Sequence, residues 1–255
     1  MEQKQKNYFT PAALIIGASI VIGTAIVAVT FYDVKALSNV ISVTGSAEKL
    51  VTSDTVKWVS GFSRNVSADG LRSGSADMKR DLGIVRAYFT EAGIPETDIV
   101  IQPVATSPVC ESQQNVFYDK SGNQNCNRTT GYLMRQEIVL QSSDVEKVTK
   151  LTQEASDALI EKGVVFSSQS VEYFYNKLSD LRIELLSEAT QNAKTRAKKI
   201  AESTGAKIGF LQSATMGVFQ VTAKNSMDVS DYGYYDTNSI EKKVTAVVRA
   251  SFSLK

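Results

Sequence analysis

From Pro11 to Tyr32 the chain runs through twenty-two residues, PAALIIGASIVIGTAIVAVTFY, without one charged side chain. As a helix this segment covers the roughly 30 Å hydrocarbon core of a bilayer, for which about 20 residues are needed. Leu14, Ile15, Ile16, Ile20, Val21, Ile22, Ile26, Val27 and Val29 surround its axis and leave no polar face. That pattern does not suit a helix packed by one side on a soluble core. A secretory signal has an apolar region of about 7–15 residues and a small-x-small cleavage site. This run is longer, and no clear Ala-x-Ala follows it. We read it as an uncleaved signal anchor over residues 9–32, after a head at 1–8 and before a linker at 33–39; a cleaved signal is the alternative. No cysteine follows the run to accept a lipid. Lys4 and Lys6 precede the run and Asp33 follows it, so the positive-inside bias puts the head in the cytoplasm and the rest across the membrane. The expected address is the inner, cytoplasmic membrane, crossed once, with the C-terminal body in the periplasm or outside the cell.

Removing Glu2, Lys4 and Lys6 from the 27 acidic and 28 basic residues leaves 26 of each beyond Tyr32. A neutral body has no electrostatic reason to seek nucleic acid. Histidine is absent, which removes the usual general base and the commonest metal ligand. The chain has no nucleophile elbow, no phosphate-binding glycine loop, no zinc-binding helix motif and no calcium loop. Two S-x-x-K matches occur, Ser46–Lys49 and Ser239–Lys242. Both fall in or beside expected strands, where residues three apart point to opposite faces, so both read as coincidences. No catalytic, cofactor-binding or metal-binding residue is assigned, and no cofactor is expected.

Cys110 and Cys126 lie in SPVCESQQNVFYDKSGNQNCNRTTG, a stretch rich in Ser, Asn, Gln and Gly. In an oxidising compartment this reads as a disulfide closing a loop. A redox-active pair is the rival, but such pairs are typically spaced C-x-x-C at a helix start.

Alternation over Val40–Glu48 predicts a strand, then a turn at Leu50–Asp54 and a second strand over Thr55–Arg64. From Ser67 the period becomes helical, with Leu71, Ser75, Met78, Leu82, Val85 and Phe89 as the stripe and Gly93 as the cap. Strands are expected at Asp98–Thr106 and Tyr132–Gln141, joined by the cysteine loop. A helix capped by Asp144 carries Val145, Val148, Leu151, Ala155 and Leu159 and closes at Gly163. A strand at Val164–Tyr175 precedes a helix over Leu178–Ser203, whose Ala189, Ala193, Ala197 and Ala201 let it approach a sheet closely and whose Lys194, Lys198, Lys199 and Glu202 face water. Two strands end the chain, Lys207–Thr222 and Lys243–Leu254. Between them KNSMDVSDYGYYDTNS interleaves Tyr232, Tyr234 and Tyr235 with Asp228, Asp231 and Asp236. Exposed tyrosine is favoured at interfaces, so these three tyrosines are the candidate contact residues; a loop folding its tyrosines onto its own sheet is the alternative. So many adjacent strands imply an α+β fold of layered helices and mostly antiparallel sheets.

The opening ISVTGSAEKLVTSD, the AGIPETDI after the first helix, Gly131-Tyr132 before the next strand, and above all ATQNAKTRAKKIAESTGAKIG resemble the SIMPL-domain proteins, also called the DUF541 family. The resemblance spans most of Val40–Leu254, so the exported body at 40–255 is taken as SIMPL-like. Where the family often has Gly-x-Gly and then Pro-Asp, this chain has Gly45-Ser46-Ala47 and Ser53-Asp54. The resemblance implies a bacterial envelope protein, linked in some relatives to stress tolerance and prone to self-assembly, and it carries over no catalytic residue. Three readings of function follow. The first is a non-enzymatic, membrane-anchored protein that acts through protein contacts as a homo-oligomer, since long strands with exposed edges invite pairing. The second is an enzyme or small-ligand binder using carboxylates, tyrosines or serine in a cleft between layers. The third is redox sensing by the two cysteines.

Overall fold

A computed structural model describes residues 9–37, 39–112, 116–122, 124–227 and 230–255. The expected head at 1–8 and Asp228 lie outside them. Helix α1 runs Phe9–Leu37, past Tyr32 and through most of the segment expected to be a linker. Its described side chains from Leu14 to Phe31 are all exposed. Its described hydroxyl side chains are satisfied within the helix. Ser19, Thr24 and Thr30 donate to the carbonyls of Ile15, Ile20 and Ile26 at 2.8–2.9 Å, which removes the cost of carrying hydroxyls into an apolar medium. The helix is long and apolar enough to cross a membrane.

The body that follows is α+β and mostly antiparallel, as the alternation of periods predicts. In chain order it comprises β1 (Val40–Thr52), β2 (Thr55–Ser67), α2 (Leu71–Glu91), a 3-10 turn (Glu96–Asp98), β3 (Ile99–Ile101), β4 (Ala105–Cys110), β5 (Val116–Tyr118) and β6 (Gln124–Cys126). Then come β7 (Thr129–Ser142), α3 (Val145–Glu161), β8 (Val165–Phe174), α4 (Leu178–Ser203), β9 (Ile208–Met216), β10 (Gln220–Ala223), β11 (Tyr234–Tyr235) and β12 (Glu241–Leu254). Several boundaries differ from expectation. Strand β1 continues through Leu50, so the first turn shrinks to Ser53-Asp54. The expected strand at Asp98–Thr106 is interrupted after Ile101 and restarts as β4. The strand expected at Lys207–Thr222 breaks at residues 217–219 into β9 and β10, each of which pairs with β12.

The residues divide into two compact units. One holds the chain up to Glu48, Arg182–Phe219 and Thr245–Lys255; the other holds Lys49–Leu181 and Gln220–Val244. In the second unit β7 and β2 form the centre of an antiparallel sheet, flanked by β3 and β4 on one side and β8 on the other. Trp58, Phe62, Phe89, Phe166, Ile138 and Leu140 lead the core shared by this sheet with α2 and α3. The Trp58 ring meets Phe89 and Phe166 edge-on at 5.6 and 5.9 Å, a preferred aromatic geometry. Its indole Nε1 donates to Ser168 Oγ at 2.9 Å.

Helix α3 matches its expected face: Val148, Leu151, Ala155 and Leu159 are buried, and Asp144 accepts the Lys147 amide at 3.1 Å. The stripe of α2 is rotated at its start. Gly74, Met78, Asp81, Val85 and Phe89 are buried, whereas Leu71 and Ser75 are exposed. The buried Asp81 accepts both arms of the Arg64 guanidinium at 2.7 and 2.8 Å, and a carboxylate so paired is tolerated where a lone one is not.

In the first unit α4 lies against β1. Its Leu185, Ala189, Ala193, Ala197 and Ala201 are buried, as are Ala246, Val248, Ala250 and Phe252 of β12. Lys194, Lys198, Lys199 and Glu202 are exposed, as expected. The helix comes nearest at Gly45. A Cβ there would overlap the Ala189 carbonyl and the Ala193 backbone, and would lie 2.7 Å from the Ala193 Cβ. The same helix closes the outer edge of β1: Arg196 donates to the Thr44 carbonyl at 3.0 Å and Asn192 Oδ1 accepts the Ser46 amide at 3.3 Å.

Candidate functional site

Cys110 and Cys126 are bonded to one another. The bond joins the end of β4 to β6, and β5 pairs with β6 as a short antiparallel hairpin inside the closed loop. Beside it lies a groove of about 550 Å³, lined by Ser107, Pro108, Val109, Cys110, Ser112, Val116, Tyr118 and Leu133.

The loop between β10 and β12 is built from its roots upward. Strand β11 pairs parallel with β10, Tyr234 opposite Gln220 and Tyr235 opposite Val221. The Asp236 amide continues this ladder, donating to the Val221 carbonyl at 2.8 Å. At the other root Lys224 Nζ reaches both Glu241 carboxylate oxygens at 3.0 Å. The tip turns at Gly233, whose φ of +86° lies in the left-handed region open to glycine. The turn closes with the Gly233 amide on the Ser230 carbonyl at 3.1 Å. Gln220 Nε2 reaches up to that carbonyl at 2.6 Å.

The three tyrosines part company here. Tyr235 folds inward, its ring stacked on Phe174 at 6.3 Å and its hydroxyl accepting the Tyr175 amide at 3.2 Å. Tyr232 is 97% exposed, Tyr234 44% and Tyr235, despite these contacts, 37%. The loop therefore ties one tyrosine to the sheet by its ring and hydroxyl, and Tyr232 is the most fully presented of the three.

Beneath Tyr235 lies Lys242, fully buried. Its ammonium donates to the carbonyls of Asp236 and Ser239, both at 2.6 Å. It stands 3.8 Å from the Asp236 carboxylate and 5.9 Å from the Tyr235 ring centroid. The carboxylate is itself satisfied, accepting the Asn238 and Ser239 amides at 2.9 and 3.2 Å. Burial opposes ionisation of Asp236, but the bonds from Ser239 and Asn238 and the charge of Lys242 outweigh it and hold the carboxyl below its ordinary pKa. Burial lowers the pKa of Lys242, and the Asp236 charge partly offsets that. In the second S-x-x-K match the lysine thus takes the backbone carbonyl of Ser239 to fasten the loop. On the neighbouring strand, Gln220 Oε1 and Thr222 Oγ1 are buried and have no hydrogen-bond partner among the described residues.

Chemically this is a fixed platform. Its ion pair and backbone bonds are spent inward, and what faces out is a pair of amphipathic aromatic rings at the end of a braced turn. Among the described residues no group of three or more Cys, Asp or Glu is placed to hold a metal ion. Sequence reading took Lys242 as part of a chance match and missed Asp81, although both carry a periodic signal. Lys242 has the even parity of the inward Val244, Ala246 and Val248, and Asp81 sits between Met78 and Val85 on the buried stripe of α2.

A scan against family models matches residues 41–252 to a model named SIMPL, described as a protein of unknown function (DUF541). A search of curated proteins finds no match.

Proposed function

The chain belongs to the SIMPL (DUF541) family, and from that premise we propose that it is a membrane-anchored, exported, non-enzymatic protein of the bacterial envelope that works through protein contacts and assembles with itself. The observation that carries this reading is the braced loop. A buried ammonium, an Asp-centred turn and a stacked tyrosine hold the root of the segment that offers Tyr232 and Tyr234 to solvent. Rigid, exposed tyrosines bind at low entropic cost because little freedom remains to be lost. The disulfide suits an oxidising compartment, and the length and apolar composition of α1 support the reading of an anchor in the inner membrane with the body in the periplasm or outside the cell. We extend the proposal to a role in tolerance of envelope or oxidative stress, which the resemblance implies for some relatives.

The test uses the full chain in its own membrane. A photo-reactive residue at Tyr232 is expected to give a discrete protein adduct, and the same residue at the exposed Lys199 of α4 is not. Protease mapping of intact cells is expected to find residues beyond Tyr32 outside the cytosol. Cytosolic exposure of the body, or no adduct at Tyr232, overturns the proposal.

The groove beside the disulfide favours a second reading, a small-ligand binder. Its volume lies within the 300–1,000 Å³ usual for ligand sites. A saturable thermal shift with an envelope metabolite, lost in Tyr118→Ala, would select that reading over the first.

A further inference from the structure

In the first unit β12 lies between β1 and β9. The three strands share one end, where β1 and β9 begin and β12 stops, and that end adjoins α1. The carbonyl of Asn39, which follows the end of α1 at Leu37, accepts the Leu254 amide at 2.9 Å. On the other side of β12, Leu254 stands opposite Ile208, and Lys207 and Lys255 exchange both backbone bonds at 2.9 and 2.7 Å. The apolar window of α1 ends at Phe31 and the helix at Leu37; that stretch rises about 9 Å, and Asn39 follows within about 7 Å. The headgroup layer takes roughly 5–8 Å of this distance. Two strand spacings, about 10 Å, then separate Asn39 from Lys207. A Debye length in physiological salt is about 8 Å, so this end of the unit stands within the field of a lipid surface.

The charge at this end is unbalanced. Antiparallel residues that exchange both bonds stand directly opposite and share a face of the sheet. Lys207 and Lys255 are such a pair; both are exposed, and neither makes an ion pair with a described residue. Like charges directly opposite destabilise a sheet, and an anion held between the two ammonium groups removes that cost. Lys207 also lines a pocket of about 510 Å³ with Lys198, Glu202, Gly205, Ala206 and Ile208. The one acid of the pocket, Glu202, stands 3.7 Å from Lys198 Nζ, so Lys207 is the cation left over. Ile208 in the pocket and the 64% exposed Phe210 beyond it add apolar surface, which suits a lipid and does nothing for a bare ion. Tethering by α1 makes headgroup phosphate the anion at highest effective concentration here.

We propose that Lys207 and Lys255, with the pocket beside Lys207, bind the phosphate of an anionic phospholipid headgroup in the leaflet from which α1 emerges. This rests on the anchor in the reading above and adds a polar hold on the same membrane.

The experiment titrates the detergent-solubilised full chain with phosphatidylglycerol or phosphatidylcholine and follows bound lipid by native mass spectrometry. A saturable adduct is expected with phosphatidylglycerol, at a concentration at least tenfold below that needed for phosphatidylcholine. Each lysine beside a membrane contributes about fivefold, so Lys207→Gln combined with Lys255→Gln should weaken the adduct at least tenfold. Lys120→Gln combined with Lys194→Gln makes the same charge change at exposed positions elsewhere and should leave it unchanged. Phosphatidylglycerol should also raise the melting temperature of the parent but not of the Lys207→Gln, Lys255→Gln chain. Equal uptake of the two lipids, or an adduct that survives the double lysine change, overturns this site. So does displacement of the lipid by inorganic phosphate at equal concentration, which would make the ligand a soluble anion. The anchor fails separately: a chain that leaves the membrane fraction without detergent sinks that reading, whatever lipid it binds.

Discussion

Replacing Lys242 by Met keeps most of the buried volume while removing the ammonium, so the change reports on polar bonding more than on packing. Two carbonyls, those of Asp236 and Ser239, lose donors at 2.6 Å. Leaving a buried acceptor unmade costs about 1–3 kcal/mol, and removing one member of a buried pair costs about 3–5 kcal/mol. Against this, a fully buried ammonium no longer has to be desolvated, and Asp236 keeps its bonds from Asn238 and Ser239. The balance falls at the low end, about 3 kcal/mol destabilising. Asp236→Asn retains one acceptor oxygen and should cost about 1 kcal/mol. The double variant should fall short of additivity by about 1–2 kcal/mol, because the partners stand 3.8 Å apart. Trp58, the one tryptophan in the chain, is buried in the core of the same unit, so its fluorescence during urea unfolding in detergent follows the relevant transition. A Lys242→Met chain within about 1 kcal/mol of the parent, or strictly additive variants, would refute the claim that this lysine fastens the loop.

Gly45→Ala should destabilise the chain by about 2–3 kcal/mol through overpacking, read as a lower circular-dichroism melting temperature. Thr222→Val removes a buried hydroxyl without a partner among the described residues and should stabilise by about 1 kcal/mol; a fall in melting temperature contradicts the burial argument. Replacing Cys110 and Cys126 together by Ser opens the closed loop and should cost about 3 kcal/mol. Lost activity at unchanged stability would instead favour redox sensing. The folded carboxyl of Asp236 lies below the unfolded value of 3.8. Its stabilisation is therefore present above that pH and fades as pH falls through the folded value, and Asp236→Asn should flatten the acid limb of a stability-pH profile.

The parts of the fold that announce themselves are those with one uniform period: α1, α3, α4 with its alanine steps, and the inward set of β12. The misplaced boundaries share a cause, since each depends on a partner that no local window contains. The β9–β10 break follows from two strands sharing β12, and β1 runs on through Leu50 because Ser53 donates its amide to the Ile240 carbonyl at 2.9 Å. The tyrosine loop is legible as a surface feature, but its brace is not. A lysine in an apolar alternation looks like the strand's beginning until the carbonyls it serves, those of Asp236 and Ser239, are seen in place. Asp81 hides in the same way, because its partner Arg64 lies on another element.

The meeting of α4 with Gly45 works as a gauge block. The spacing between helix and strand is fixed by the smallest side chains the code provides, so neither surface can grow by one atom without the other shrinking, and glycine and alanine leave almost nothing to shrink. A larger side chain at Gly45 or on the facing alanines must therefore push helix and strand apart, whereas the far side of the helix carries no such restriction.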